Sequence, residues 1–390
     1  MGVVAAWSKY VTGHESRSGA AHRPVEAART RRTTPPARNP PVPRATRHGR
    51  AGLAAGRITP VTPPPPLSAP PAFSGTRLGW ADLPREVRAR IAELAGAQVT
   101  SETSATSGFS PGYAAILELA DGTEVFVKAV SPEQNPDSPE LARAEAVVAG
   151  ALPAGVPAPR LLWSHDDGSW VLLGFESVEG SSPVLPWRRE DLDRVLRAIT
   201  QLADAGTPGP AGLVTLGDSI SGVVEGWARL EADGAAVDRA VLGAGPHGEW
   251  LLSHLEQLVG WASDAVPAAA GDSLVHGDLR GDNIMLGPGG PDGPVWLIDW
   301  PHAATAGARW FDLLGMLPSV VMQGGGDAAE IFAAHPNAAG ADPDAVRAVL
   351  AGITGYFIEG SVQPAPRGIA NLRAFQRAQG VAALGWLRYL

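Results

Sequence analysis

Residues 276–299 combine a polar loop with a predicted β-hairpin, and no other stretch constrains the fold as strongly. The loop reads His-Gly-Asp-Leu-Arg-Gly-Asp-Asn and ends at Asn283. Two short apolar stretches follow it, separated by a turn rich in Gly and Pro, which predicts a pair of antiparallel strands. The predicted strands are residues 284–286 and 295–298. Asp299 comes directly after the second strand, so the hairpin places it beside Asn283.

These residue types suit the transfer of a phosphoryl group from a magnesium nucleotide. Such a transfer depends on positioning, on neutralising charge with a metal, and on orienting the attacking hydroxyl. Asp278 can accept the proton of that hydroxyl, and Asn283 can reach a metal that is bound to phosphate oxygens. The alternative is an ordinary loop and hairpin with solvated charges, so the motif needs support from elsewhere in the chain.

A lysine lies inside a second predicted hairpin. Residues 113–119 and 125–130 are apolar and extended, and Asp121-Gly122 between them is a strong two-residue turn signal. Lys128 is surrounded by Val, Phe and Ala, where its head needs an anion such as the α- and β-phosphates of a nucleotide. The alternative is an edge lysine that prevents aggregation.

A carboxylate lies on the apolar face of the helix that follows. Ser138 is the predicted N-cap, with Pro in the next position. Glu145 shares a face with Leu141 and Val148. Because an unpaired buried charge costs several kcal/mol, this glutamate needs a cationic partner, and Lys128 is the obvious candidate. The alternative is a glutamate that extends out to solvent.

A loop of small residues, 107–112, precedes the first of these strands. Its backbone N–H groups at Gly108, Phe109 and Ser110 could close over phosphates, although the Gly-Lys-Ser/Thr ending of a Walker A loop is absent. The loop also fits the Gly-x-Ser-x-Gly nucleophile elbow of hydrolases. That interpretation fails because Pro111 has no N–H for an oxyanion hole and because a strand follows, not a helix.

Together these segments resemble the aminoglycoside phosphotransferase family, whose members are relatives of the protein kinases. The polar loop looks like the family's Brenner motif, and the similarity runs from about residue 95 to the C-terminus. The resemblance implies an α+β, protein-kinase-like fold of two lobes. The N-lobe would hold a small antiparallel sheet with one helix, and the C-lobe would be larger and mainly helical.

The resemblance also implies a role for each residue of the polar loop and hairpin. Asp278 would be the catalytic base, and Arg280 would lie near the transferred phosphate. Asn283 and Asp299 would hold Mg²⁺. The phosphate donor would be ATP, with GTP as an alternative, and the acceptor would be the hydroxyl of a small molecule.

In the N-terminal half the resemblance implies a nucleotide site. Lys128 and Glu145 would form the ion pair that kinase-like enzymes make between a strand and a helix. Residues 170–175 form a predicted buried strand that leads into the hinge between the lobes. The backbones of Glu176 and Val178 in this hinge would bind adenine.

Two positions depart from the protein-kinase pattern. Gly277 stands where kinases have the arginine of His-Arg-Asp, and Trp300 follows the metal-binding aspartate where kinases have phenylalanine. Both departures argue against control by a phosphorylated activation loop and against a protein Ser/Thr kinase, which remains an alternative. A non-catalytic nucleotide-binding protein is the other alternative, but no expected lysine, base or metal ligand is missing.

Composition divides the chain into three predicted segments. Residues 1–75 are rich in Pro and carry 11 basic against two acidic residues, whereas the whole chain has a net charge of −9. They lack any sustained hydrophobic period, so we expect a disordered extension, or sequence upstream of the translation start. Residues 76–180 are the predicted nucleotide-binding N-lobe and residues 181–390 the catalytic and substrate-binding C-lobe.

Several classes of partner are not expected. The basic N-terminal segment has almost no aromatic residues that could stack on bases, which argues against nucleic acid. No stretch approaches the ~18 apolar residues of a membrane helix. The chain has no cysteine, which excludes disulfides and thiolate metal sites. These features fit a cytoplasmic protein, whereas its oligomeric state is not indicated.

Two further polar residues have predicted structural roles. Asp312 follows Asp299 by thirteen positions and lies beside apolar residues. The resemblance implies that it braces the catalytic loop through hydrogen bonds, and a role as a helix N-cap is an alternative that does not exclude bracing. His276 is interpreted as a structural ring packed under the loop. The rest of the C-terminal half is predicted to be helical, with apolar stripes at 192–202, 251–258, 346–357 and 372–390.

The sequence indicates the acceptor only weakly. Aminoglycosides are polycations that call for acidic pockets. Residues 181–270 hold twelve acidic and six basic residues, but residues 301–390 hold six of each. An aminoglycoside-like compound or another amino alcohol or sugar is therefore expected. The large side chains in the last ninety residues either line a pocket for a less charged substrate or fill the core; they are Trp310, Tyr356, Phe357 and Trp386.

Overall fold

A five-stranded antiparallel sheet dominates the first part of the fold. The computed structural model describes residues 77–105, 112–366 and 369–390, and the predicted loop residues Gly108, Phe109 and Ser110 lie outside these ranges. The strands of the sheet are β1 (Val99–Ser104), β2 (Tyr113–Leu119), β3 (Glu124–Val130), β4 (Leu161–Asp166) and β5 (Val171–Glu176). Their order is β1-β2-β3-β5-β4, and every neighbouring pair is antiparallel.

The predicted hairpin at Asp121-Gly122 joins β2 to β3. Gly122 has a φ of 83°, and the Asp121 carboxylate accepts from the backbone N–H of Thr123 at 3.0 Å. β3 is apolar apart from Glu124 and Lys128, because both faces of the sheet are covered. Its odd-numbered residues pack against helix α1 (Arg85–Ala95), and its even-numbered residues face helix α2 (Ser138–Ala151). Lys128 therefore points toward α2.

Helices dominate the chain after β5. They are α3 (Arg189–Ala205), α4 (Leu216–Ile220), α5 (Gly226–Glu231), α6 (Gly234–Gly243), α7 (Gly248–Ser253), α8 (Leu255–Ser263), α9 (Ala265–Ala268), α10 (Phe311–Met322), α11 (Ala328–Ala334), α12 (Pro343–Ser361) and α13 (Leu372–Leu387). Short strands lie between α9 and α10, namely β6 (Ala270–Val275), β7 (Ile284–Leu286), β8 (Val295–Leu297) and β9 (Ala304–Gly307). The predicted α+β fold is thus observed.

The predicted catalytic hairpin is β7 paired with β8, with Ile284 opposite Leu297. It is attached to the segment that follows β5. Ser181 and Leu286 exchange two backbone hydrogen bonds, of 3.1 and 2.8 Å. This bridge holds the polar loop against the end of the sheet.

Two local predictions need correction. The N-cap of α2 is Asp137, not Ser138, because the side chain of Asn135 accepts from the Asp137 N–H at 2.8 Å and turns the chain one residue earlier. The apolar stripe at 251–258 spans two helices, which are separated at His254. Ser253 donates to the carbonyl oxygens of Glu249 and Trp250, and such side-chain bonds compete with helix continuation.

The buried apolar residues form three clusters. One lies between the sheet and α1, a second between the sheet and α2, and the third and largest fills the helical part. The largest cluster also includes Val148 and Val156, so the division into an N-lobe up to residue 180 and a C-lobe after it stays a prediction. No helix in the described ranges has the length and apolar character that a bilayer-spanning segment needs.

The N-cap of α12 gives a test of the helical part. The Asp342 side chain accepts from the backbone N–H of Asp344 at 3.0 Å, with Pro343 in the first turn, as predicted. We expect Asp342→Ala to lower the free energy of unfolding by ~1 kcal/mol, measured by urea denaturation. Asp342→Asn retains an acceptor oxygen and serves as the control. An equal loss in both variants would contradict the capping role.

Candidate active site

A cavity of about 620 Å³ lies between the sheet and the catalytic hairpin. Every described residue that the sequence singled out for chemistry lines it. These are Lys128, Glu145, Glu176, Val178, Asp278, Arg280, Asn283 and Asp299. Residues that are up to 171 positions apart in sequence therefore meet at one place.

Lys128 connects three elements of the fold. Its ammonium donates to the two carboxylate oxygens of Glu145 at 2.7 and 2.8 Å, and to Asp299 at 2.7 Å. Burial alone would raise the pKa of Asp299, but the ammonium of Lys128 outweighs burial and lowers that pKa to about 2. Asp299 therefore remains ionised at neutral pH. The predicted contact between Lys128 and Glu145 is present.

The backbone of the polar loop is fixed by Asp312. The Asp312 carboxylate accepts from the N–H of His276 at 2.7 Å and from the N–H of Gly277 at 2.9 Å. Asp312 lies in the first turn of α10, whose N-cap is Trp310. Of the two predicted structural roles, the geometry therefore supports bracing and excludes capping.

Gly277 is required by the shape of the loop. Its φ of 80° lies in the left-handed region, and a Cβ at this position would come 2.4 Å from the backbone oxygen of His302. A side chain such as arginine cannot occupy that space. The departure from His-Arg-Asp is thus a consequence of close backbone packing.

His276 is a buried structural ring, as expected. Its Nε2 lies 3.0 Å from the backbone oxygen of Ile298, and its Nδ1 lies 3.3 Å from the Asp278 N–H, in the geometry of an acceptor. The ring packs on Trp300 with the centroids 4.5 Å apart. It therefore connects the polar loop to the segment that carries Asp299.

Arg280 and Asn283 both contact Asp278. The Arg280 guanidinium touches the Asp278 carboxylate and makes two 3.0 Å hydrogen bonds to Asp282. The Asn283 amide nitrogen donates to the Asp278 backbone oxygen at 2.8 Å. Burial raises the pKa of Asp278 above its ordinary range, while Arg280 acts in the opposite direction. The carboxylate is thus held in place and made more basic.

Asn283 and Asp299 are the side chains that could hold a metal. With its nitrogen turned to Asp278, Asn283 keeps its amide oxygen for another partner. Asp299 has a φ of 70°, a backbone conformation in which Asp is found more often than most residues. No group of three or more His, Cys, Asp or Glu side chains in the described part of the chain could hold a metal. Phosphate oxygens and water would therefore complete a magnesium shell.

Two participants were not identified from the sequence. Asp282 orients Arg280, but it looks like any charged loop residue in the sequence. Arg77 lines the cavity, and its charge interacts with Asp299. It follows a Pro-rich stretch, residues 58–76, that contains no Lys or Arg, and it belongs to none of the recognised motifs.

The four large aromatic residues singled out among the last ninety residues of the chain fall into two pairs. Trp310 and Trp386 both pack on Phe332 in the core, with centroid distances of 6.3 and 5.6 Å. Tyr356 and Phe357 line the cavity. Trp310 and Trp386 thus fill the core, whereas Tyr356 and Phe357 are cavity residues, and a less charged substrate stays a prediction.

The model of the phosphotransferase enzyme family matches residues 106–349, which is more than half of the chain. The chain belongs to this family. It is therefore a phosphotransferase, and the resemblance seen in the sequence is confirmed. No curated protein matches the sequence significantly.

Solved structures show the same fold at low identity. A thermostable mutant of aminoglycoside phosphotransferase APH(4)-Ia, in ternary complex with AMP-PNP and hygromycin B, has a TM-score of 0.51 and 18% identity over 77% of this chain and 98% of that chain. The GDP complex of aminoglycoside 2'-phosphotransferase-IIIa has a TM-score of 0.51 and 15% identity over 78% and 99%. These matches confirm the predicted kinase-like fold.

The buried Asp312 predicts a pH dependence of stability. Burial outweighs its two backbone hydrogen bonds and raises its pKa to about 6 in the folded protein. Because the folded pKa exceeds the unfolded one, the stability that this group contributes is complete at low pH and is lost as the pH rises from about 4 to about 6.

We therefore compare Asp312→Asn, which does not titrate, with the parent protein. The parent should lose stability relative to the variant by up to ~1.4 kcal/mol per pH unit across this window. Urea denaturation at pH 4.5, 5.5 and 7 measures the difference. A difference that is constant with pH would show that Asp312 does not titrate in this range.

Proposed function

We propose that this phosphotransferase transfers the γ-phosphate of ATP, or of GTP, to the hydroxyl of a small molecule. The observation that carries the proposal is the meeting of Lys128, Asp278, Asn283 and Asp299 in one cavity. These groups supply a cation for phosphates, a base for the hydroxyl and oxygen ligands for a metal. Related structures that contain AMP-PNP or GDP agree with a nucleotide donor.

The donor half of the cavity binds the nucleotide in this proposal. Lys128 would exchange its contact with Asp299 for the α- and β-phosphates while it keeps its contact with Glu145. Arg77 would add positive charge at the same side. The backbone N–H of Glu176 donates to the Arg160 backbone oxygen at 3.0 Å, so adenine would use the Glu176 carbonyl oxygen and the Val178 N–H in this proposal.

Asp278 receives the proton in the transfer step. The acceptor oxygen forms a bond to the γ-phosphorus as the bond to the β–γ bridging oxygen breaks, which yields a phosphate ester and a nucleoside diphosphate. Arg280, held by Asp282, faces the phosphoryl group and offsets its charge. A magnesium ion held by Asn283 and Asp299 would neutralise the phosphates and align them.

Replacement of the base is the direct test. Asp278→Ala should lower transfer of radiolabelled γ-phosphate by a factor of ~10²–10⁴, because no other group takes up the proton. The affinity for ATP should persist. Asp292→Ala removes an exposed carboxylate from the turn of the same hairpin and is the matched control. Transfer at the parental rate in Asp278→Ala would refute the assignment.

The metal proposal has its own test. Excess EDTA should abolish transfer, and added Mg²⁺ should restore it. Asp299→Asn removes one anionic ligand, so we expect the Mg²⁺ concentration for half-maximal activity to rise about tenfold or more. Titration of Mg²⁺ at saturating ATP measures it, with Asp292→Ala again as the control. An unchanged Mg²⁺ requirement in Asp299→Asn would show that Asp299 is not a ligand.

A non-catalytic nucleotide-binding role is the alternative. A protein with this role would bind ATP but would show no turnover that depends on Asp278. A protein Ser/Thr kinase is a weaker alternative, since Trp300 is buried and its indole N–H donates to Leu297 at 2.8 Å. This fixed ring differs from the mobile phenylalanine of a regulated activation segment.

A further inference from the structure

The acceptor half of the cavity has an apolar wall next to Asp278. Its side chains come from α12, from α13 and from the segment before α13. We call the following set the acceptor wall: Val349, Ile353, Phe357, Ile369, Leu372 and Phe375. The Phe375 ring lies 5.7 Å from the Arg280 guanidinium, which itself touches the base. A hydroxyl presented to Asp278 would therefore have its carbon skeleton against this wall.

The six residues of the acceptor wall are uncharged. Two carboxylates that line the same cavity, Asp278 and Asp282, both contact Arg280. Glu359, on α12, is buried, accepts from Gln363 at 2.6 Å and lies 3.6 Å from Arg229. A polycation placed against the wall would lose its hydration beside uncharged side chains and beside carboxylates that already have cationic partners, which is strongly unfavourable.

The polar side chains that line the cavity at the wall are neutral, and one of them, Gln376, accepts from the Arg373 guanidinium at 2.8 Å. Gln376 and Gln379 line the cavity, and each is only 2% exposed. The Tyr356 hydroxyl hydrogen-bonds to Gln376. Two amides and a phenol can satisfy a hydroxyl or a carbonyl group on a ligand, but they cannot balance several positive charges.

We propose that the acceptor is a bulky, uncharged and mainly apolar alcohol, and that polycationic aminoglycosides are excluded. The inference rests on the proposed phosphotransfer and names the substrate class of that same site. The alcohol oxygen bonds to the γ-phosphorus of ATP, ADP leaves, and the alcohol proton passes to Asp278. Apolar contact with the wall supplies the binding energy, which grows with the apolar area buried.

A comparison of acceptors tests the class. The full-length protein with Mg²⁺ and radiolabelled ATP is given cyclohexanol, borneol and decalin-2-ol, and separately kanamycin and hygromycin B. We expect kcat/KM to rise with the apolar area of the alcohol and to exceed that for kanamycin by about 100-fold for the bicyclic alcohols. Preference for either aminoglycoside would overturn the inference.

Binding of ATP and its slow hydrolysis are measured in parallel. If neither class accepts phosphate while hydrolysis that depends on Asp278 persists, the inference fails and the proposed function stands. If ATP is neither bound nor hydrolysed, the proposed function fails and the inference fails with it. The two failures are thus distinguishable.

A charge introduced into the wall tests the mechanism of selection. Ile353 is partly exposed in the cavity, and Ile353→Asp and Ile353→Asn differ in charge but hardly in size. The Asp variant should lose about tenfold more kcat/KM for borneol than the Asn variant and should bind kanamycin more tightly. Equal losses would overturn selection by charge. The Leu372→Asp and Leu372→Asn pair replaces this one if melting temperatures show misfolding.

Discussion

The contacts of one ammonium group hold the active site together. Lys128 lies on β3, Glu145 on α2 and Asp299 after β8. Glu145 is buried, whereas the side chains of Lys128 and Asp299 are 21% and 32% exposed. Loss of Lys128 would leave both carboxylates without their cationic partner, one of them in a medium that solvates charge poorly. The sheet, its helix and the catalytic hairpin must therefore keep one relative position. A site made of remote sequence segments needs such a constraint before any ligand arrives.

A second constraint acts on the backbone. Asp312 holds two successive N–H groups of the polar loop, and Gly277 fits against a carbonyl where no side chain has room. These contacts determine the direction in which Asp278 leaves the loop. Arg280, which touches Asp278, is held by Asp282, and Asn283 is held by the backbone oxygen of Asp278. Positioning of Asp278, the proposed base, is therefore distributed over residues to which no chemical step is assigned.

Local patterns in the sequence predicted the parts of the fold that depend on local physics. Hairpins follow from turn residues, and the Lys128–Glu145 pair follows from a charge on each of two apolar faces. The break at His254 was missed because side-chain bonds ended a helix that apolar periodicity would continue. Arg77 and Asp282 were missed because their roles exist only when distant segments meet. Whether Trp310 and Tyr356 lie in the core or line the cavity likewise depends on the packing of several helices.

The two halves of the cavity have different physical requirements. The donor half of the cavity would bind a polyphosphate, whose charge does not vary from one substrate to the next. It can therefore carry ammonium, guanidinium and carboxylate groups in fixed pairs. In the proposed reaction the acceptor half would bring one hydroxyl to Asp278 and keep water away from it. The acceptor wall would do both, since it would bind the carbon skeleton and exclude the competing nucleophile. Exclusion of water also strengthens every charge interaction on the donor side. The apolar wall and the charged cluster thus support the same step.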